Sequence, residues 1–161
     1  MPAFPDDPLS RARLQALRLL KVRPRTEAEL RSRLSRKRVP DPVADRLLDE
    51  LKAKGLVNDA QFARYFAAQQ MDFRPVGRRG LLTRLRAKGV PPALAAEAAA
   101  GAVAAEDELA AARRLASQRA PRLAGLGPAA AQRRLFGFLS RRGFSSEVIW
   151  KVLREPGGGA G

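Results

Sequence analysis

One phrase is written three times in this sequence, about 50 residues apart, and that confines the chain to folds built from a repeated unit. Leu34, Leu85 and Leu139 anchor it. Each has an apolar partner four residues back (Leu30, Leu81, Leu135) and a basic residue three ahead (Lys37, Lys88, Arg142). Arg38, Gly89 and Gly143 come next, then Val39, Val90 and Phe144. Pro40, Pro91 and Ser145 open a second segment that carries Val43, Leu94 and Val148. It closes on matching pairs: Leu47 with Leu48, Ala98 with Ala99, and Val152 with Leu153. A repeat presents one surface several times over, which suits a long or repetitive partner.

The phrase reads as a helix-turn-helix. Leucines four apart share one helical face. The glycine behind the basic residue supplies a left-handed end cap, and Pro or Ser then starts the next helix. A further helical stretch precedes each phrase: Ser10 to Val22, Asn58 to Met71, and Glu106 to Arg119. Asn58 caps the second of these, with Phe62, Tyr65, Phe66 and Met71 as its apolar stripe. The expected fold is therefore all-α: three tandem three-helix, helix-turn-helix-like repeats in an elongated, curved array. The units span residues 10–55, 56–104 and 105–155, between flexible tails at 1–9 and 156–161. β-branched residues are sparse and two-residue alternation is absent, so no strand is expected. Alanine and leucine, both strong helix formers, dominate.

Charge narrows the partner. Lys and Arg number 31 against 16 Asp and Glu, a net +15 with a pI near 11.6. Such a field attracts polyanions. Surface charge alone is usually solvation, and Arg- and Ala-rich chains are common where coding DNA is GC-rich, but here the clusters follow the repeats. Arg31, Arg33, Arg36, Lys37 and Arg38 lie on the first phrase helix. Arg78, Arg79, Arg84, Arg86 and Lys88 lie on the second, and Arg133, Arg134, Arg141 and Arg142 on the third. On the second, Leu81, Leu82 and Leu85 mark the buried side. Arg79 and Arg86 flank it on one edge, Arg84 and Lys88 on the other. These basic faces, Arg38 apart, are the candidate partner- and DNA-binding residues. No apolar run approaches the ~20 residues of a membrane span. The start of the chain, with Asp6, Asp7 and three prolines, does not read as a secretory signal. A monomeric, cytoplasmic protein without membrane contact is expected.

Enzyme chemistry has little to work with. There is no histidine and no cysteine, which removes an imidazole base, a thiol nucleophile and the usual soft metal ligands. No phosphate-binding Gly-x-x-x-x-Gly-Lys loop occurs, and Gly157 to Gly159 sit in the terminal tail. Asp59 and the run Glu106-Asp107-Glu108 read as helix starts favoured by the dipole. Neither cofactor nor metal is expected. Among aromatics, Phe62, Tyr65, Phe66 and Trp150 read as core. Phe73, beside Arg74 and Pro75 in a loop, is the candidate for a partner contact.

Four segments resemble the RecX family of regulators of the bacterial recombinase RecA. They are Arg23-Pro-Arg-Thr-Glu-Ala-Glu-Leu30, Gly55-Leu-Val-Asn-Asp-Ala-Gln-Phe-Ala63, Gly77 with Leu85 and Lys88-Gly89-Val90, and Phe138-Leu139-Ser-Arg-Arg-Gly-Phe144. The resemblance covers about residues 10 to 154. It implies a non-enzymatic helical modulator in DNA repair, recombination and the SOS response. Such a protein lodges in the groove of the RecA–DNA filament and mainly inhibits it, with weak non-specific DNA binding. Three positions depart from the pattern: Arg38 replaces a glycine, Asn58 an acid, and Gly80 stands where a basic residue is expected. The alternative is a helix-turn-helix DNA-binding protein, a transcriptional regulator or a sequence-independent binder. Against a base reader, the second helices open on Pro40-Asp41, Pro91-Pro92 and Ser145-Ser146, which offer little to read a base with.

Overall fold

Residues 7–156 are described in the computed structural model; among them the chain forms nine α-helices, one 3-10 turn and no strand. The first unit comprises α1 (Pro8–Val22), α2 (Glu27–Arg36) and α3 (Asp41–Ala53). The second comprises α4 (Asp59–Phe73), α5 (Arg78–Ala87) and α6 (Pro92–Ala102). The third comprises α7 (Ala105–Arg119), a 3-10 turn at Ala120–Leu123, α8 (Pro128–Arg141) and α9 (Ser146–Arg154). This is the all-helical, three-unit architecture that the repeat predicts.

Local chemistry sets the helix starts. The Asn58 side chain accepts the Gln61 N–H at 3.0 Å, as expected, and the Ser145 hydroxyl accepts that of Val148. Thr26 and Glu29 form a reciprocal capping box on α2. α3 and α6 carry Pro42 and Pro92 within their first two positions, where a missing N–H costs nothing. α1 begins at Pro8, two residues before the expected Ser10, because the Asp7 carboxylate accepts the Ser10 N–H. Pro8 and Leu9 thus belong to the first unit and not to a tail, and Leu9 packs on its core. Residues 1–6 and 157–161, the rest of the expected tails, lie outside the described residues.

Each phrase turn runs through the left-handed region, with φ of +59° at Arg38, +83° at Gly89 and +82° at Gly143. The first unit therefore needs the same backbone as the others but places an arginine there, at a cost of about 1–2 kcal/mol.

Three separate cores result. In each unit the third helix packs on both others. Small residues four apart on the first helix let it approach closely: Ala12 and Ala16, Ala63 and Ala67, Ala112 and Ala116, all buried. Against them lie Leu30, Leu34, Leu47 and Leu48 in the first unit, and Leu135, Leu139, Ile149 and Val152 in the third. Burying each of these leucines contributes about 2 kcal/mol. The second unit has alanine at 98 and 99, where the first has leucine at 47 and 48. Phe62 and Phe66 fill the space, stacked with centroids 5.8 Å apart. Tyr65 does not join them; it is 52% exposed, because Ala63 and Ala67 already face the core and Tyr65 falls outside that stripe. Trp150 is also a correction: it is 40% exposed and lies against Phe136, centroids 5.4 Å apart.

Among the described residues, the main helix–helix packing lies within each unit and not between units, so the units form an array and not one globule.

Candidate interaction surfaces and the unit junctions

The thirteen candidate basic residues divide into two groups. Eight are exposed and make no ion pair among the described residues: Arg33, Arg36 and Lys37; Arg79 and Arg86; Arg133, Arg134 and Arg141. The other five are engaged within the protein. Arg31 bonds Asp45 at 2.5 Å and Glu27 at 3.4 Å, and those carboxylates, Asp45 first, raise its pKa. Arg84 donates to the Gln70 side-chain oxygen. Arg78, Lys88 and Arg142 sit where units meet. A ring of basic residues around a free face is therefore only partly what the structure shows. The helical period predicts exposure, but carboxylates of its own unit engage Arg31, and a neighbouring unit covers part of the second and third rings.

Two junctions hold the units in series. At the first, the buried Thr26 hydroxyl donates to the Lys88 carbonyl at 2.6 Å. The Asp59 carboxylate accepts the Glu27 N–H at 2.9 Å, so a residue of α4 caps the start of α2. Lys88 Nζ lies 3.9 Å from Glu29 and 5.8 Å from the Phe66 ring centroid. Burial pushes the Glu29 pKa up, but the Arg23 hydrogen bond and charge, the Thr26 N–H and Lys88 outweigh it and hold the carboxyl below its ordinary range. For Asp59 burial wins: desolvation lifts its pKa against the Glu27 N–H, with the Glu27 charge adding to the lift.

The second junction repeats this plan. The Glu108 carboxylate, 7% exposed, accepts the Arg78 N–H at 2.8 Å and so caps α5 from α7. The Arg78 guanidinium donates to the Val103 carbonyl at 2.7 Å. The Gly77 N–H donates to the Arg142 carbonyl at 2.9 Å, and the Gly80 N–H to the Gly143 carbonyl at 3.1 Å. Arg142 reaches the Pro75 carbonyl at 3.2 Å, while its buried Nε finds no partner among the described residues. Burial, with Arg74 and Arg84 nearby, pulls its pKa below arginine's ordinary value.

Several of these roles have only a local signal in the sequence. Asp59 and Glu108 read as first-turn residues favoured by their own helix dipoles; each also caps a helix of the preceding unit. Glu106 and Asp107 stay exposed in the first turn of α7, as a dipole role requires. Thr26 carries the capping-box spacing with Glu29, but its hydroxyl points at the next unit. Phe73, expected in a loop, is instead the last residue of α4, and it is 86% exposed. The described residues hold no cluster of metal-ligating side chains, and no helix among them is long and apolar enough to cross a membrane.

Three domain families match the chain in order, each described as a RecX three-helix domain: the first at residues 12–51, the second at 58–98 and the third at 106–153. The regulatory protein RecX of Thermobifida fusca is 37% identical over 153 residues, spanning 95% of this chain and 82% of its own. The chain belongs to the RecX family. The regulatory protein RecX of Streptomyces coelicolor is 34% identical over 151 residues, spanning 94% of this chain and 80% of its own. The crystal structure of RecX from Lactobacillus salivarius superposes with a TM-score of 0.82, covering 90% of this chain and 94% of that one at 22% identity. That likeness speaks for the fold. The family is one of regulatory proteins, and its three domains correspond to the three units built here from the repeat.

Proposed function

We propose that this chain binds RecA–DNA filaments and modulates them, mainly by restraining ATP turnover and strand exchange, with no catalytic chemistry of its own. The observation that carries this reading is the serial joining of the units. Hydrogen bonds at both junctions space the free basic residues along one array: Arg33, Arg36 and Lys37, then Arg79 and Arg86, then Arg133, Arg134 and Arg141. A filament is a helical polymer of protein on DNA. An array that spans neighbouring subunits turns several weak contacts into one strong one. It also opposes the subunit movements that accompany nucleotide turnover.

Co-sedimentation with preformed RecA–DNA filaments, with naked DNA as control, is the direct test. The expected result is filament binding together with reduced ATPase. Replacing Arg79 and Arg86 with Ala is expected to weaken that inhibition at physiological salt. Binding to naked DNA with no effect on the recombinase would reject the reading and leave a plain DNA-binding protein.

A further inference from the structure

The third unit distributes charge unlike the first. From Leu109 to Ser146 the sequence carries eight arginines and no carboxylate. In the first unit, Arg13, Arg23, Arg31, Arg46 and Lys52 are matched to Glu27, Glu29, Asp45, Asp49 and Glu50. In the third, a cleft of about 600 Å³ opens between the end of α7, the 3-10 turn and α8. Arg119, Arg122, Arg133, Arg134 and Arg141 line it, with Gly137 among them and no acid. None of the five makes an ion pair among the described residues. The Arg119 guanidinium lies 5.2 Å from the Phe138 ring centroid, which fixes its position without neutralising its charge.

Gly137 lies on the wall of the cleft beside Arg141. It sits inside α8, where glycine is unfavourable. A Cβ there would come within 3.2 Å of the Arg141 guanidinium and would meet nothing else closely. The equivalent positions of the other units hold Ser32 and Thr83. The glycine gives Arg141 room to lie along α8 at the wall of the cleft.

We infer that this cleft clamps a nucleic-acid phosphodiester backbone. Five guanidinium groups lining one cleft with no acidic side chain paired to them among the described residues repel one another, and a bound polyanion relieves that repulsion. Their planar forks match phosphate oxygens. A lone phosphate engages two or three such groups; a run of regularly spaced phosphates engages all five. The remaining lining residues, Leu123 and Ala130, offer no side-chain donor or acceptor, so the contact is blind to base sequence. The inference rests on the filament reading for its purpose, since it makes the third unit the nucleic-acid anchor. Its primary measurement, oligonucleotide binding, needs no recombinase.

Fluorescence anisotropy of the full chain with a labelled oligo-dT of about 20 nucleotides provides that test. Three variants are compared with the parent: Arg122→Ala/Arg133→Ala/Arg134→Ala, the same three positions changed to Lys, and a first-unit control, Arg33→Ala/Arg36→Ala/Lys37→Ala. All the altered residues are exposed, and circular dichroism verifies the helical fold of each. The third-unit Ala variant is expected to lose about tenfold or more in affinity near 0.1 M salt, with its log–log salt slope shallower by about 2. The Lys variant is expected to fall between it and the parent, keeping charge but not fork geometry. The first-unit control is expected to lose less than either. Equal losses in the two Ala variants would overturn the clamp in favour of a diffuse field. Oligonucleotide binding that survives while filament ATPase inhibition disappears would also overturn it, assigning the cleft to an acidic protein surface and leaving the filament reading intact.

Discussion

The two junctions present the same acceptor to different donors. Lys88 and Arg142 are equivalent residues of the phrase. The Lys88 carbonyl receives the Thr26 hydroxyl, whereas the Arg142 carbonyl receives the Gly77 N–H. Thr26 and Gly77 are themselves equivalent, each eight residues before its anchoring leucine. Removing the threonine side chain hands the bond to the main chain and draws the two backbones together by about its length. The consequence is a demand for glycine on both sides. A Cβ at Gly77 would lie 2.4 Å from the Gly143 carbonyl oxygen, and one at Gly80 would lie 2.8 Å from the Gly143 Cα. Gly80, out of place in the sequence pattern, is explained by this approach. The first junction demands glycine on one side only, at Gly89; the second demands it on both.

The largest predicted effect follows from that. Gly143→Ala combines a left-handed residue with a Cβ only 2.4 Å from the Gly80 Cα. Strain and overpacking together should cost about 3 kcal/mol. Unlike a core truncation, the damage is local to the second junction. Denaturant unfolding of the full chain is expected to show the third unit melting early, as a separate step. A single transition at the parent midpoint would mean that the backbones do not approach as described.

The trans-acting carboxylates come next. Glu108→Ala orphans the N–H at the start of α5 in a buried place and should cost about 2 kcal/mol. Glu108→Gln keeps an acceptor and should recover most of it. At the first junction the site is wetter, so Asp59→Ala should cost about 1 kcal/mol, which thermal melts can resolve. The two carboxyls of that junction respond oppositely to pH. Burial raises the Asp59 pKa above its unfolded value, so ionising it opposes folding. Its effect is absent below the unfolded pKa and grows as pH rises through the folded one. The Glu29 pKa is depressed, so its contribution is present above the unfolded pKa and lost as pH falls through the folded one. Asp59→Asn should therefore steepen the acid-side loss of stability, by removing the opposing group. A pH–stability profile identical to the parent would place Asp59 in solvent.

Which parts of this were readable in advance follows from how far each interaction reaches along the chain. The units, the left-handed turns and the Asn58 and Ser145 caps depend on residues within about one helical turn, and period and cap chemistry report those. The Thr26–Lys88 bond joins residues 62 apart, and nothing local marks it. The same holds for Asp59 and Glu108: a carboxylate early in a helix already has a sufficient local role. Arg119 and Arg122 lie outside the repeated phrase, one at the end of α7 and one in the 3-10 turn, so the repeat does not mark them. Tyr65 sat at an apolar spacing that the small residues Ala63 and Ala67 already filled. A spacing pattern shows which faces exist, and the next unit decides which of them stay open.

Arg38 separates the two demands that the comparison mixes. At Gly89 and Gly143, glycine supplies both a positive φ and room for the preceding unit; a Cβ on Gly89 would sit 2.4 Å from the Ala28 Cβ. Arg38 is the same position in the first unit, with φ +59°, but it is exposed and no other unit packs on it among the described residues, so only the backbone demand remains. That accounts for an arginine surviving where its counterparts cannot carry even a methyl group. Arg38→Gly should relieve the left-handed strain while adding some freedom to the unfolded chain, a net stabilisation of about 0.5–1 kcal/mol. Gly89→Ala should destabilise by more than that, because the Cβ has nowhere to go. A Gly89→Ala loss in thermal melts well beyond the Arg38→Gly gain supports close approach as the second requirement at the junction turns. A loss and a gain of equal size would reduce it to a matter of φ alone.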